Sequence, residues 1–335
     1  MKRVTIRDVA LEAGVSTGTV SKALNGYGAM RAETRERVVK AAERLGFAPN
    51  TLAQALLGGR TFTVGLIATD HFSFCCVPVM LGAEEILGAE DISVFMCDTR
   101  GEPAREDRYV SMLTARHVDG LIVAGHRPEP RPPVQPGQDV PVVYAMTQPL
   151  GGDEPAVLPD DEGGAASAVE HLITTGRRRI AHITGPERFL AARRRAAGFD
   201  AALTSAGLPW SGVWYGEWSE RWGREAVKQL LAEDHGTDAI FCGTDQIARG
   251  AADALQAMGR RVPDDVALAG FGNWEVLVAD AQPPLTSVDP CLEEVGRTAA
   301  GQLLAAIGGQ PGRGVATVPA RLVVRESSLR RAAPD

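Results

Sequence analysis

Thr17, Gly18, Ser21 and Lys22 fall on one face of a short helical stretch, and together they offer small hydrogen-bonding side chains and a single cation. At the amino end of a helix, this is the chemistry that can reach base edges in the major groove of DNA. The opposite face carries Val20, Ala23 and Leu24, which can pack inward. Ser16 stands where a helix N-cap belongs, and Asn25-Gly26 close the stretch with residues that tolerate a left-handed backbone.

These side chains need a support. Just upstream, Ile6, Val9, Ala10 and Ala13 recur at helical spacing with Arg7, Asp8 and Glu12 on the wet side, and Gly14-Val15 ends that helix. A third helix is expected over Glu33 to Leu45, with Val38, Ala41, Ala42 and Leu45 on one face. Three such helices make a unit of about fifty residues, near the lower limit for independent folding. After it, Asn50 to Leu57 is compatible with a further helix, marginal by itself and stopped by Gly58-Gly59.

The chain has 335 residues, enough for two or three domains, and a formal charge of -7. That average hides an asymmetry. Residues 1–60 carry ten Lys/Arg against five Asp/Glu, a net +5, whereas residues 61–335 carry 25 against 37, a net -12. A basic head on an acidic body is expected where one end meets phosphates. The five cysteines make no C-x-x-C pair and Cys75-Cys76 are adjacent, which suits a reducing compartment without structural disulfides. The six histidines are scattered and form no metal-ligand spacing, so no metal and no cofactor are expected. No run approaches the roughly 18 apolar residues of a membrane span, and the expected location is cytoplasmic.

From Phe62 the pattern alternates between apolar runs and helical stretches. Strands are expected at 64–68, 92–97, 118–124 and 140–145 with helices at 77–90 and 102–116 between them. The series restarts with helices at 164–175, 188–206, 219–233 and 245–258 and strands at 180–184, 213–214, 239–242 and 266–271. A helix at 292–307 and a strand at 322–325 return the tail to one or both units. This alternation implies two doubly wound parallel sheets, two lobes with a cleft where the carboxyl ends of their strands face each other. The Pro-rich stretch 127–137 is expected to be an exposed loop.

Gly14 to Gly18 matches G-x-S-x-G, but a nucleophile elbow needs a preceding strand, and here a helix precedes it. There is no phosphate-binding G-x-x-x-x-G-K-[ST] and no catalytic set, so an enzyme is not expected.

TIRDVALEAGVS, TVSKALNG, TRERVVKAAERLGFAPN, VDGLIV, EHLITTGRRRIAHITGP, RAAGFDAAL, GTDQIARGAADAL, VPDDVALAGF and PPLTSVD occur in that order. Together they make the chain resemble the LacI/GalR family of bacterial transcription regulators over nearly its full length. The resemblance implies an all-α helix-turn-helix domain at 1–48, a hinge helix and linker at 49–60, and a bilobal, periplasmic-binding-protein-like α/β sensor at 61–335. Its first lobe would span about 61–156 plus part of 290–320, and its second about 157–288 plus the C-terminal strand. The implied protein is a repressor of carbohydrate-utilisation genes, a homodimer or tetramer on palindromic operator DNA in the nucleoid, governed by a sugar-like effector in the cleft.

The resemblance places base contacts on Thr17, Gly18, Ser21 and Lys22, with Thr5, Ser16 and Asn25 near phosphates. In the hinge, Ala53 would approach the minor groove and Leu56 would wedge between base pairs, an unstacking offset by packing in the opened groove. For the effector it singles out Arg195 of R-x-x-G-F, Asp245 and Trp218, whose indole serves either stacking or core packing. Asp70, Phe72, Ser73 and Phe74, with Asp98 and Asp161, could reach the cleft from the strand ends. Three departures stand out. Gly18 takes a place where many members carry a larger side chain. Gly272-Asn273 occupies a place where many members have paired acidic residues, and Arg31 one where a Ser commonly caps the third helix.

Overall fold

The computed structural model describes residues 4–24, 30–47, 60–69, 75–137, 140–210 and 212–329. The chain divides into two compact units, Met1–Phe62 and Thr63–Asp335.

In the first unit, α1 (Ile6–Ala13), α2 (Thr17–Leu24) and α3 (Ala32–Leu45) close around Val9, Ala13, Val20, Val38 and Ala41. The small side chains let three short helices approach closely, and Arg37 fastens α3 to the end of α1 by donating from Nε to the Ala13 carbonyl at 3.0 Å. Gly14 ends α1 at φ 63°, a left-handed turn from which the Val15 N–H reaches back to the Ala10 carbonyl at 3.0 Å. Ser16 caps α2 as expected, its Oγ accepting the Thr19 N–H at 3.1 Å. Arg31 occupies the N-cap of α3 and its side chain makes no capping bond there. Replacing it should therefore help: Arg31→Ser is expected to stabilise this unit by about 1 kcal/mol, read as a rise in the denaturant midpoint. An unchanged or lower midpoint would show that the cap is already met by other means.

The second unit contains two six-stranded sheets. The first has the order β13-β7-β5-β3-β1-β2, with β1 Thr63–Ala68, β2 Ser93–Asp98, β3 Gly120–Ala124, β5 Val142–Ala145, β7 Ala156–Pro159 and β13 Val315–Val318, all parallel. Helices α4 (Cys76–Gly88) and α10 (Leu292–Ile307) pack on one face of it and α5 (Pro103–Ala115) on the other. The second sheet runs β14-β12-β11-β10-β8-β9, formed by β8 Ile180–Thr184, β9 Val213–Tyr215, β10 Ala239–Cys242, β11 Ala267–Phe271, β12 Thr286–Asp289 and β14 Arg321–Val323. Only β14 is antiparallel to its neighbour. Here α6 (Asp161–Thr174) and α7 (Leu190–Ser205) cover one face, and α8 (Glu220–Glu233) and α9 (Asp245–Ala257) the other.

Both lobes use the same device to bring helices together. In the first, a Cβ on Gly82 would lie 1.9 Å from the Glu293 carbonyl oxygen and one on Gly296 2.0 Å from that of Val79. In the second, Gly250 and Gly223 stand likewise against the Glu220 and Ile247 carbonyls at 1.9 and 2.3 Å. Any larger residue would force these backbones apart.

The tail returns to both lobes, β13 to the first sheet and β14 to the second. Two expectations are corrected. Ala156–Pro159 is a buried strand of the first sheet, so the first crossing lies after Pro159 and not at 156/157. The last strand ends at Val323: the Arg325 N–H turns to the Thr286 hydroxyl oxygen at 2.8 Å, and its guanidinium donates to the Leu285 carbonyl and to Asn273 Oδ1. Among the described residues no helix is long and apolar enough to cross a membrane.

Candidate functional site

In the first unit, Val20 and Ala23 of α2 are buried, while Thr17, Gly18 and Lys22 are exposed and Ser21 is half-buried. The helix therefore presents the face that could meet base edges. Ser16 Oγ lies 2.9 Å from Thr19 Oγ1 in addition to its capping bond, so its oxygen is already engaged. Gly18 has open space: a Cβ there would meet only Ser16 Oγ, at 3.8 Å. The absent side chain is not required by packing. Thr5, exposed, is the N-cap residue of α1, and its N–H and hydroxyl both donate to Asp8 Oδ2 at 2.8 and 2.7 Å. Lys40 and Arg44 pair with Glu36 and Glu12, whereas Arg7, Lys22, Arg31 and Arg35 enter no ion pair among the described residues. Asn25, Ala53, Leu56 and the 50–57 segment lie outside the described residues.

In the second unit, the carboxyl ends of the strands define two walls. Thr69, Thr99, Gly125 and Thr147 follow β1, β2, β3 and β5; Gly185, Gly216, Gly243 and Gly272 follow β8, β9, β10 and β11. One cavity of about 600 Å³ opens where the chain crosses between lobes, bordered by Pro78, Asn273, Trp274, Asp289, Leu292 and Arg321. Another of about 740 Å³ lies above the first sheet and is bordered by Thr69, Thr99, Glu106, Glu129, Arg131 and Thr147.

On the second wall the structure brings together four residues singled out from sequence. Arg195 projects from α7 over Phe271, its guanidinium carbon 3.7 Å from the ring centroid, and lies 5.8 Å from the Trp218 ring. Its Nε and Nη2 each reach Asp161 Oδ1 at 2.8 Å, and Nη1 donates to the Gly243 carbonyl. Trp218 is half-buried, rests on Gly185, where a Cβ would lie 2.1 Å from the indole, and stacks with Phe189 at 6.4 Å between centroids. It also packs on the core beneath, which is the core-packing role.

Asp245 is buried at 2% exposure. Its Oδ1 accepts the Ser287 hydroxyl and its Oδ2 the Trp274 N–H at 2.9 Å. Burial raises its pKa, and the Ser287 and Trp274 hydrogen bonds pull the other way. Both oxygens thus hold the floor of the loop that follows β11. That loop passes directly over it, with Gly272 at φ 127° and Asn273 at φ 49°, conformations that Gly adopts freely and Asn tolerates. The Gly-Asn pair in place of two acidic residues has a backbone reason. Asn273 bridges Asp289 and Arg325 with its side-chain amide.

Asp98 turns back to its own strand end, accepting the Arg100 N–H at 2.8 Å. Asp70, Phe72, Ser73 and Phe74 lie outside the described residues. His182, completely buried between Phe199 and Phe241, is pushed down to about 4, chiefly by burial, and is a neutral core residue at neutral pH. The described residues contain no group of His, Cys, Asp and Glu placed to hold a metal.

The expected exposed loop at 127–137 is corrected. Most of its residues are half-buried, and Pro130–Arg131 (β4) pairs with Gln148–Pro149 (β6). Arg131 forms an ion pair with Glu106, and Arg127 lies with its guanidinium carbon 4.4 Å from the Phe189 centroid. Glu129 Oε1 accepts the Leu190 N–H at 2.6 Å. None of these was singled out from sequence. The alternation Arg-Pro-Glu-Pro-Arg at 127–131 was the available signal, since charged residues set rigidly between prolines are positioned rather than free.

Comparison with known proteins accords with this arrangement. Residues 5–50 match the family model described as bacterial regulatory proteins, lacI family, and residues 169–328 that of a periplasmic binding protein-like domain. The chain is 36% identical to the HTH-type transcriptional regulator CelR of Thermobifida fusca, over 97% of this chain and 98% of that one. It is 34% identical to catabolite control protein A of Priestia megaterium, over 88% and 90% of the two chains. Among solved structures it is similar to a transcriptional regulator CelR-cellobiose complex, with TM-score 0.67, 33% identity and coverage of 97% and 100%. It is also similar to a lac repressor dimer bound to operator and the anti-inducer ONPF, with TM-score 0.77, 28% identity and coverage of 98% and 100%.

Proposed function

The chain belongs to the LacI family of bacterial regulatory proteins, and from that premise we propose that it is a dimeric repressor of carbohydrate-utilisation genes whose hold on operator DNA is set by a small sugar. The observation that carries this reading is the exposed face of α2, Thr17, Gly18 and Lys22, on a basic unit joined to an acidic two-lobed one. Residues 1–48 bind DNA, 49–60 form the hinge and linker, and 61–335 sense the effector. The site of action is the nucleoid, in the cytoplasm. Two heads take the two halves of a palindrome, α2 of each lying in the major groove. Thr5, Ser16 and Asn25 meet phosphates, and the hinge residues Ala53 and Leu56 enter the minor groove.

The effector reading is supported by an aromatic shelf, Trp218 with Phe189, beside a guanidinium and a carboxylate, Arg195 and Asp161. An indole face suits sugar C–H groups and the charged pair suits vicinal hydroxyls. Asp70, Phe72, Phe74, Asp245 and Asn273 complete the proposed site, Asp245 by holding the Asn273 loop. The cellobiose complex of CelR supports a sugar, and the operator complex of the lac repressor supports a DNA-bound dimer. The effector changes DNA binding only through its different affinities for the two arrangements of the lobes.

The test uses a duplex selected by the full-length protein from a randomised palindromic pool. Lys22→Ala should weaken binding to it by about 1–3 kcal/mol relative to a scrambled duplex, measured by fluorescence anisotropy, and leave sugar binding unchanged. Equal affinity of wild type and variant for the selected duplex would refute the role of α2. Parallel loss of DNA and sugar binding would refute the division of labour.

A further inference from the structure

The loop between β3 and β5 belongs to the first lobe, yet two of its side chains grip the second. Glu129 Oε1 takes the Leu190 N–H, the first of α7, at 2.6 Å, and the Arg127 guanidinium covers Phe189, the residue before it, at 4.4 Å. A carboxylate on the amino end of a 16-residue helix is favoured by the unsatisfied N–H groups and partial positive charge there. The grip is not an accident of a loose loop. Arg131 is fastened to Glu106, the Thr147 hydroxyl donates to the Glu129 carbonyl at 2.9 Å, and Gln148 Nε2 donates to the Pro128 carbonyl at 2.8 Å. The second carboxylate oxygen, Glu129 Oε2, is shut from solvent and has no hydrogen-bond partner among the described residues, although Glu129 borders the larger cavity. A buried carboxylate oxygen without a donor is costly, and a ligand that brings one removes the cost.

We propose that Arg127 and Glu129 form a clasp across the cleft that holds the lobes closed on α7, and that Glu129 Oε2 accepts a hydroxyl of the effector, so that a neutral polyol tightens the clasp. Glu102, Glu106, Asp107 and Glu129 border the cavity against Arg127 and Arg131, and Arg131 is already matched by Glu106. The excess of carboxylate favours a neutral hydroxylated ligand over an anionic one. The second half of the proposal rests on the sugar reading above; the first half does not.

The experiment measures the distance between fluorophores on non-canonical residues at exposed positions 104 and 200, one on each lobe, in the full-length protein. Without ligand, Glu129→Ala and Arg127→Ala should each lengthen the mean distance by several ångströms, and Glu129→Gln, which keeps an oxygen for the Leu190 N–H, by less. Cellobiose titrated by calorimetry should bind Glu129→Ala at least about tenfold more weakly than wild type, as expected for a lost hydrogen bond to a charged group. Cellobionate, its anionic counterpart, should bind wild type more weakly than cellobiose. An unchanged distance in both alanine variants overturns the clasp. Lengthening with undiminished cellobiose affinity overturns the role of Oε2. If the variants lengthen and the wild type takes neither sugar, the clasp stands and the sugar reading fails.

Discussion

Raising the salt from about 50 to about 200 mM is expected to weaken binding of the selected duplex by roughly four orders of magnitude. The cations free to meet phosphates set the size of this effect. Of the ten Lys/Arg in the first sixty residues, Lys40 and Arg44 are matched by Glu36 and Glu12, and Arg37 is turned to the Ala13 carbonyl. Arg7, Lys22, Arg31 and Arg35 enter no ion pair among the described residues. In a dimer these become about eight phosphate partners, and counterion release then gives a slope of log K against log salt near -7. The acidic body, net -12 over residues 61–335, contributes nothing favourable and adds long-range repulsion that salt relieves. The slope should therefore come out somewhat shallower than the count of cations alone implies. Anisotropy titrations across that range measure it directly. A slope shallower than about -2 would mean that the head does not engage the backbone as an array of cations, and the DNA-binding reading would go with it.

Much of this architecture was legible because local chemistry and final structure agree. The period of Val9, Ala13, Val20 and Ala23 is the period of the buried faces, Ser16 caps α2, and helix 292–307 begins and ends where its apolar pattern does. The vacant cap at Arg31 was readable as well, since an arginine cannot replace a serine hydroxyl beside its own backbone. What escaped was decided by partners remote in sequence. Thr286–Asp289 is a strand with two polar residues buried, Thr286 and Ser287, because Ser327, Ser328 and Asp245 satisfy them from elsewhere in the lobe. Val315–Val318 is an edge strand too short and too exposed to show a pattern. The Pro-rich loop reads as solvent-exposed from composition, and only the Glu106, Thr147 and Leu190 contacts, far along the chain, make it part of the cleft. The resemblance singles out Arg195, but the partners that occupy its guanidinium could not be read from its neighbours.

Those partners set the second large effect. Arg195→Ala is expected to lower the stability of the sensor unit by about 3–5 kcal/mol, because it strands a buried charge. Asp161 is 1% exposed, and Arg195 reaches its Oδ1 from both Nε and Nη2; Oδ2 has no hydrogen-bond partner among the described residues. The same substitution removes the donor to the Gly243 carbonyl and the cation that covers Phe271. A solvated arginine in the run Arg193-Arg194-Arg195 would cost little on removal. Arg194→Ala is the matched control and should change stability by less than about 0.5 kcal/mol, as surface substitutions do. The double variant Arg195→Met Asp161→Leu separates the pair's worth from the cost of orphaning one member: it should recover most of the loss, since an apolar pair of similar volume avoids burying a charge. Thermal unfolding should place Arg195→Ala roughly 10 °C below wild type for a unit of this size, with the double variant between them. Melting within 2 °C of wild type would show that the guanidinium is held for the ligand alone and carries no part of the lobe; a double variant as unstable as the single one would mean that the charge pair itself, and not its balance, holds the cleft wall in place.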